Sequence, residues 1–173
     1  MPAIDDQLIL LNTLAAEVGD ALKSHGMMLA TAESCTGGGV AYALTEIPGS
    51  SAWFERGFIT YANEAKREML GVQQQTLLRH GAVSEAVVRE MAQGALRHSH
   101  AHVALAVSGI AGPGGGSANK PVGTVWFAWC IKGGVCMARH HLLPGNRTQI
   151  RAWSVQLALQ GVRDLINQIS ETA

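Results

Sequence analysis

No surplus of charge of either sign marks this chain: 13 Lys and Arg residues stand against 13 Asp and Glu. The cations are scattered rather than clustered, which excludes a nucleic-acid footprint and a polybasic membrane patch and leaves a small molecule as the expected partner. Cysteine is scarce and odd in number. Cys35, Cys130 and Cys136 are its only occurrences, and the last two flank an expected hairpin, so a secreted disulfide framework is not indicated and reduced cytosolic thiols are expected. No apolar run reaches membrane-spanning length, and Asp5 and Asp6 stand where a basic leader would begin. A cytoplasmic location without membrane anchoring follows as an expectation. Internal repeats, low-complexity tracts and linkers are also missing, so residues 1–173 read as one domain, large enough to bury a core of its own.

Several chemical signatures are absent too. The glycine loops do not match Gly-x-x-x-x-Gly-Lys-Ser/Thr, and Gly112 to Gly116 does not open a predicted helix. Nucleoside triphosphate hydrolysis and NAD-dependent hydride transfer therefore lose support. Neither a Gly-x-Ser-x-Gly elbow nor a Ser-His-Asp layout is found, so a serine nucleophile would need another base. His98, His100 and His102 alternate without a local carboxylate or cysteine, and no metal or other cofactor is expected. Paired carboxylates are lacking as well, since Glu33 is the only acid in the first loop.

What the chain does contain is strands interleaved with helices. Apolar residues at Leu8, Leu11, Ala15, Val18 and Leu22 predict a helix from Asp5 to about Ser24, ahead of a strand begun by Met27-Met28-Leu29-Ala30. A helix through Val40 to about Glu46 follows, then a strand from Trp53 to Tyr61 and a short helix holding Lys66 with Asn63 as its N-cap. Gln73 to His80 predicts another short helix. Ser84 reads as the N-cap of a helix whose buried stripe is Val87, Val88, Met91, Ala95 and Leu96. His102 to Val107 is a buried strand. Val122 to Ile131 and Val135 to Leu143 form a hairpin about Lys132-Gly133-Gly134, and Arg147 to Ile169 is a final amphipathic helix. These elements predict a three-layer α/β/α sandwich on a mixed sheet of five or six strands.

The first strand leads into Thr31-Ala32-Glu33-Ser34-Cys35-Thr36-Gly37-Gly38-Gly39, where open α/β sheets bind their ligands. The N–H groups of Thr36 to Gly38 would face an anion docked at the helix start, although small residues after a strand are also ordinary turn chemistry. A second glycine-rich loop, Ser108 to Gly116, follows another strand, and the two could meet at one pocket. Lys66 is a candidate base for Ser34 if burial lowers its pKa, with Tyr61 to relay or donate a proton. Spacing alone favours a surface lysine. Cys35 reads as a small packed residue, because in an extended stretch it points away from Ser34. Arg147 opens the final helix, where a cation opposes the helix dipole unless an anion lies close; read by itself it is more simply an exposed arginine.

Six ordered motifs carry a resemblance that covers nearly the whole chain. They are Ala32-Glu33-Ser34-Cys35-Thr36-Gly37-Gly38, Tyr61-Ala62-Asn63-Glu64-Ala65-Lys66, Leu70-Gly71-Val72, Gly81-Ala82-Val83-Ser84, Ser108-Gly109-Ile110-Ala111-Gly112-Pro113-Gly114-Gly115 and Lys120-Pro121-Val122-Gly123-Thr124-Val125. Together they resemble the CinA C-terminal-domain family, whose characterised members are nicotinamide-nucleotide amidohydrolases. The resemblance implies metal-free hydrolysis of nicotinamide mononucleotide to nicotinate mononucleotide and ammonia, in the stand-alone form that lacks the additional N-terminal domain of larger members. By the same resemblance Ser34 is the nucleophile, Lys66 and Tyr61 activate it, and Glu33, Cys35, Thr36, Gly37, Gly38, Ser108, Gly109 and Arg147 contact the substrate. Ser108 stands where some relatives carry threonine. Family habit also implies a homo-oligomer. The alternative reading is a non-catalytic nucleotide-binding module of the same fold.

Overall fold

The computed structural model describes residues 4–172, with side chains described over 9–169. Asp5, Asp6 and Leu8 of the predicted first helix lie outside the described side chains. In chain order the elements are α1 (Ile4–Ser24), β1 (Leu29–Glu33), α2 (Gly39–Thr45), β2 (Phe54–Ile59), α3 (Asn63–Leu70), α4 (Gln74–His80), α5 (Glu85–Arg97), β3 (Val103–Gly109), β4 (Thr124–Ile131), β5 (Cys136–Leu142) and α6 (Arg147–Thr172). The five strands form one mixed sheet in the order β2-β1-β3-β4-β5. β1 lies parallel to both β2 and β3, while β3–β4 and β4–β5 are antiparallel.

Both faces of the sheet are covered, and side-chain size separates them. Leu29, Val103, Leu105 and Val107 point into one core with Leu14, Val18 and Leu22 of α1 and Ile150, Leu159 and Val162 of α6. Their sequence neighbours Ala30, Ala104 and Ala106 point the other way, against Val87, Val88 and Met91 of α5. Large residues on one face and alanines on the other let α5 sit close to the sheet. α5 also meets α3 closely at Gly94, where a Cβ would fall 2.0 Å from the Leu70 carbonyl oxygen. Any side chain there would force the two helices apart.

Some element ends differ from the sequence expectation. β1 begins at Leu29 rather than Met27 and runs on to Glu33, because Thr31 and Glu33, polar as they are, lie fully buried between two neighbouring strands. Asn63 is the first helical residue of α3 and not its cap; Ala62 holds that position with no side-chain bond. Ser84 does cap α5, accepting from the Val87 N–H. A further correction concerns the hairpin cysteines. Cys130 and Cys136 were expected to be reduced, but the β4–β5 register sets them directly opposite one another and they are joined as a disulfide. Among the described residues no helix is long and apolar enough to cross a membrane.

Candidate active site

Because β2, β1 and β3 are neighbours running in one direction, their carboxyl ends reach the same edge of the sheet. The ladder continues one step past β1 on both sides, with the Ser34 N–H donating to the Val107 carbonyl at 3.0 Å and the Thr60 N–H to the Glu33 carbonyl at 2.8 Å. Ser34 is thereby fixed between the segment that leads to Lys66 and the one that carries Ser108. The three residues, with Cys35, Tyr61, Gly109 and Arg147, line one cavity of about 230 Å³.

Lys66 projects from α3 into this cavity and is only 1% exposed. Its Nζ donates to the Ser34 Oγ at 3.0 Å, to the Thr60 carbonyl at 2.7 Å and to the Tyr61 carbonyl at 3.1 Å. Burial holds the amine down to about 8 from its ordinary 10.5, an effect partly opposed by Cys35. The geometry selects a role for the neutral form. Two N–H groups stay on the fixed carbonyls, and the lone pair is left facing the Ser34 hydroxyl. Cys35 is in the opposite condition, because burial pushes its thiol up to about 11. It remains a protonated thiol near neutral pH, packed so tightly that a Cβ on Gly109 would approach its Sγ to 3.1 Å.

Tyr61 is placed differently from expectation. Its carbonyl holds Lys66, while the residue as a whole is 60% exposed and its hydroxyl accepts from Arg147 Nη2 at 3.1 Å. Among the described residues that hydroxyl is paired with Arg147 and not with Ser34 or Lys66. Arg147 also donates through Nη1 to the Gly112 carbonyl at 2.9 Å, so it links the start of α6 to the second glycine loop at the cavity mouth. Asn146 and Gln149 cap α6 reciprocally, the Asn146 Oδ1 accepting from the Gln149 N–H at 3.1 Å and the Gln149 Oε1 from the Asn146 N–H at 2.8 Å. Ser108 is buried at the cavity wall and donates its proton to the Ala82 carbonyl at 2.9 Å, which leaves its lone pairs as the groups it can offer a ligand.

Glu33 requires a correction. It was expected to contact substrate, yet it is wholly buried and turned under the start of α2. There Oε2 accepts from Thr36 Oγ1 at 2.6 Å, the Gly38 N–H at 3.1 Å and the Val40 N–H at 3.0 Å, while Oε1 accepts from the Ala41 N–H at 2.8 Å. The anion at this helix start is the chain's own carboxylate. Gly37 and Gly38 lose their expected roles by the same geometry, since the Gly38 N–H is on Glu33 and the Gly37 N–H on the Ser34 carbonyl at 3.0 Å. Their φ values of 59° and 93° explain why glycine stands at both positions.

Sequence reasoning missed Arg151. Its Nε donates to the Cys35 carbonyl and its Nη2 to the Thr36 carbonyl, each at 3.1 Å. The available signal was the four-residue spacing from Arg147, which puts both guanidinium groups on one side of α6. His102, singled out as one of three alternating histidines, accepts on Nδ1 from the Met28 N–H at 2.9 Å. Among the described residues no three His, Cys, Asp or Glu side chains gather as a metal site.

Comparison with known proteins finds relatives by sequence and by fold. The model of the CinA C-terminal domain matches residues 11–166. The nicotinamide-nucleotide amidohydrolase PncC of Escherichia coli strain K12 is 55% identical over 150 residues, 87% of this chain and 91% of that protein. The protein of the same name from Pseudomonas putida is 47% identical over 155 residues, covering 90% of this chain and 96% of its own length. The crystal structure of the competence/damage inducible protein CihA from Agrobacterium tumefaciens superposes with a TM-score of 0.88 at 48% identity, over 91% of this chain and 96% of that one.

Proposed function

The chain belongs to the CinA C-terminal domain family, and on that premise we propose that it hydrolyses the carboxamide of nicotinamide mononucleotide to nicotinate mononucleotide and ammonia. The observation that carries the reading is the buried Lys66 amine 3.0 Å from the Ser34 hydroxyl in a cavity at the sheet edge. Ser34 is the nucleophile and Lys66 its base. Neutral Lys66 takes the Ser34 proton as Oγ attacks the carboxamide carbon, and the resulting ammonium passes that proton to the NH₂ group as the C–N bond breaks and ammonia leaves. Water, deprotonated in turn by Lys66, then attacks the acyl-Ser34 ester and releases the carboxylate. The tetrahedral oxyanion is held by the Cys35 and Thr36 N–H groups: neither donates to a described backbone carbonyl, and the first meets only its own thiol sulfur, a weak acceptor that an oxyanion outcompetes. Ser108, with its proton committed to Ala82, accepts from the substrate NH₂ and disfavours a carboxylate in the same place. Arg147 at the mouth receives the 5′-phosphate, the anion that a cation at a helix start calls for.

The test is ammonia release from nicotinamide mononucleotide by the wild-type chain and by Ser34→Ala, followed across pH. Loss of the nucleophile is expected to lower kcat by at least about 10⁴-fold while folding is retained. In the wild type kcat/KM rises about tenfold per unit as pH approaches the Lys66 value of about 8 and levels off above it, because only the free amine is a base. Stability moves with the same group. Its folded pKa lies below the unfolded 10.5, so the folded state binds fewer protons between about 8 and 10.5 and gains stability as pH rises through that window. Nucleotide binding without ammonia release would favour the non-catalytic binding module instead.

A further inference from the structure

The carbonyls of the Ser34 turn are held by strong donors, whereas the Cys35 N–H meets only its own thiol sulfur, a weak acceptor, and the Thr36 N–H meets no described protein oxygen. The Ser34 carbonyl accepts from the Gly37 N–H at 3.0 Å, and the Thr36 carbonyl accepts from both the Gly39 N–H and Arg151 Nη2 at 3.1 Å. The Cys35 carbonyl accepts from Arg151 Nε. In a trans peptide the carbonyl and the following N–H point in opposite directions. Holding the Cys35 carbonyl therefore aims the Thr36 N–H the other way. Holding the Thr36 carbonyl orients the Gly37 N–H onto Ser34, and the Ser34 carbonyl so fixed turns the Cys35 N–H away in the same manner.

We propose that Arg151 is a positioning residue that sets the two oxyanion-binding N–H groups, those of Cys35 and Thr36, without touching the substrate. Arg151 lines a separate hollow among α1, α2 and α6, with Leu11, Thr36, Tyr42 and Val155, and is absent from the lining of the Ser34 cavity, which Cys35 shares with Ser34. A cation on the two carbonyls also polarises their peptide groups, which makes the opposite N–H groups stronger donors. Arg151 belongs to α6 and the turn follows β1, so these bonds tie the last helix to the nucleophile across 115 and 116 residues of sequence.

The inference rests on the amidohydrolase reading, and the experiment separates the two. Steady-state kinetics are measured for wild type, Arg151→Lys and Arg151→Met on nicotinamide mononucleotide and on its thiocarboxamide analogue, with melting temperatures as a check on folding. Arg151→Met is expected to lower kcat roughly 10- to 100-fold, somewhat less than deletion of an oxyanion donor. KM should change by less than about threefold, since no ground-state contact is lost. Arg151→Lys, which keeps a charged donor for one carbonyl, should recover part of the loss. The preference for carboxamide over thiocarboxamide should be high in wild type, where two aimed N–H groups suit a small hard oxygen, and should fall in Arg151→Met. A merely structural role would not move that ratio. Wild-type kcat in Arg151→Met, a loss carried in KM, or an unchanged oxygen-to-sulfur preference overturns the proposal. Should Arg151→Met fail to fold, Arg151→Lys decides by the same kcat and preference criteria. Failure of the underlying reading looks different: wild type releases no ammonia, or Ser34→Ala is as active as wild type.

Discussion

After β1 the chain passes through Cys35-Thr36-Gly37-Gly38-Gly39, and after β3 through Gly112-Pro113-Gly114-Gly115-Gly116. Both runs are glycine-rich, and both follow parallel strands whose ends lie at one edge of the sheet. The first is folded onto a buried carboxylate, with the Cys35 and Thr36 carbonyls held by Arg151 and the Gly37, Gly38 and Gly39 N–H groups donating to Ser34, Glu33 and Thr36. The second is exposed from Pro113 to Asn119 and is linked to the cavity through Arg147, which lines it and donates to the Gly112 carbonyl. Glycine content does not distinguish them. What does is whether each backbone group has a partner that leaves no alternative conformation.

The most damaging way to test this contrast is to remove the anion beneath the first loop. Glu33→Gln keeps the size but sets an NH₂ group against N–H or hydroxyl donors that now meet a carboxylate oxygen. The expected loss of stability is about 3 kcal/mol, read by urea denaturation, and activity should fall with the misplaced turn. Wild-type stability in Glu33→Gln would mean that the carboxylate is not what holds α2.

A smaller effect is expected at the point where the second loop meets the site. Arg147→Ala should weaken nicotinamide mononucleotide binding roughly 10- to 100-fold, the range of one charge-assisted phosphate contact. Comparing the nucleotide with its dephosphorylated riboside isolates the cause. Wild type should strongly prefer the nucleotide, and Arg147→Ala should lose most of that preference; an unaltered preference would make Arg147 a surface charge.

The mildest pair sharpens the comparison most directly. Gly38→Ala places a side chain at φ 93°, with its Cβ 2.9 Å from Ile59 Cδ1, and should cost about 1–2 kcal/mol and several degrees of melting temperature. Gly114→Ala meets nothing within 4 Å at an ordinary φ and should stay within about 0.5 kcal/mol of wild type. Equal melting temperatures for the two variants would erase the distinction drawn between the loops.

Local pattern carried much of this in advance. The buried strand ending at Val107, the Ser84 cap and the apolar stripe of α5 all rest on local apolar pattern and near-neighbour chemistry, which a linear chain displays. So does the placing of Ser34 at a strand end, and the order of motifs was enough to mark the family. The roles within the site were less legible. Gly37 and Gly38 read as ligand groups because a glycine loop ahead of a helix invites an anion, and nothing local says that Glu33 already supplies that anion from within the chain.

The sequence by itself determined the alternation of strands and helices, the serine at the sheet edge and the family, because each depends on spacing along the chain. Only the tertiary structure decided that Lys66 is buried with its amine on Ser34, that the Tyr61 hydroxyl pairs with Arg147, and that Arg151 reaches Cys35 and Thr36. A lysine's pKa and an arginine's partner depend on how much water is excluded and which carbonyls lie within about 3 Å, and these are set by groups far apart in sequence that the parallel β2-β1-β3 arrangement brings together.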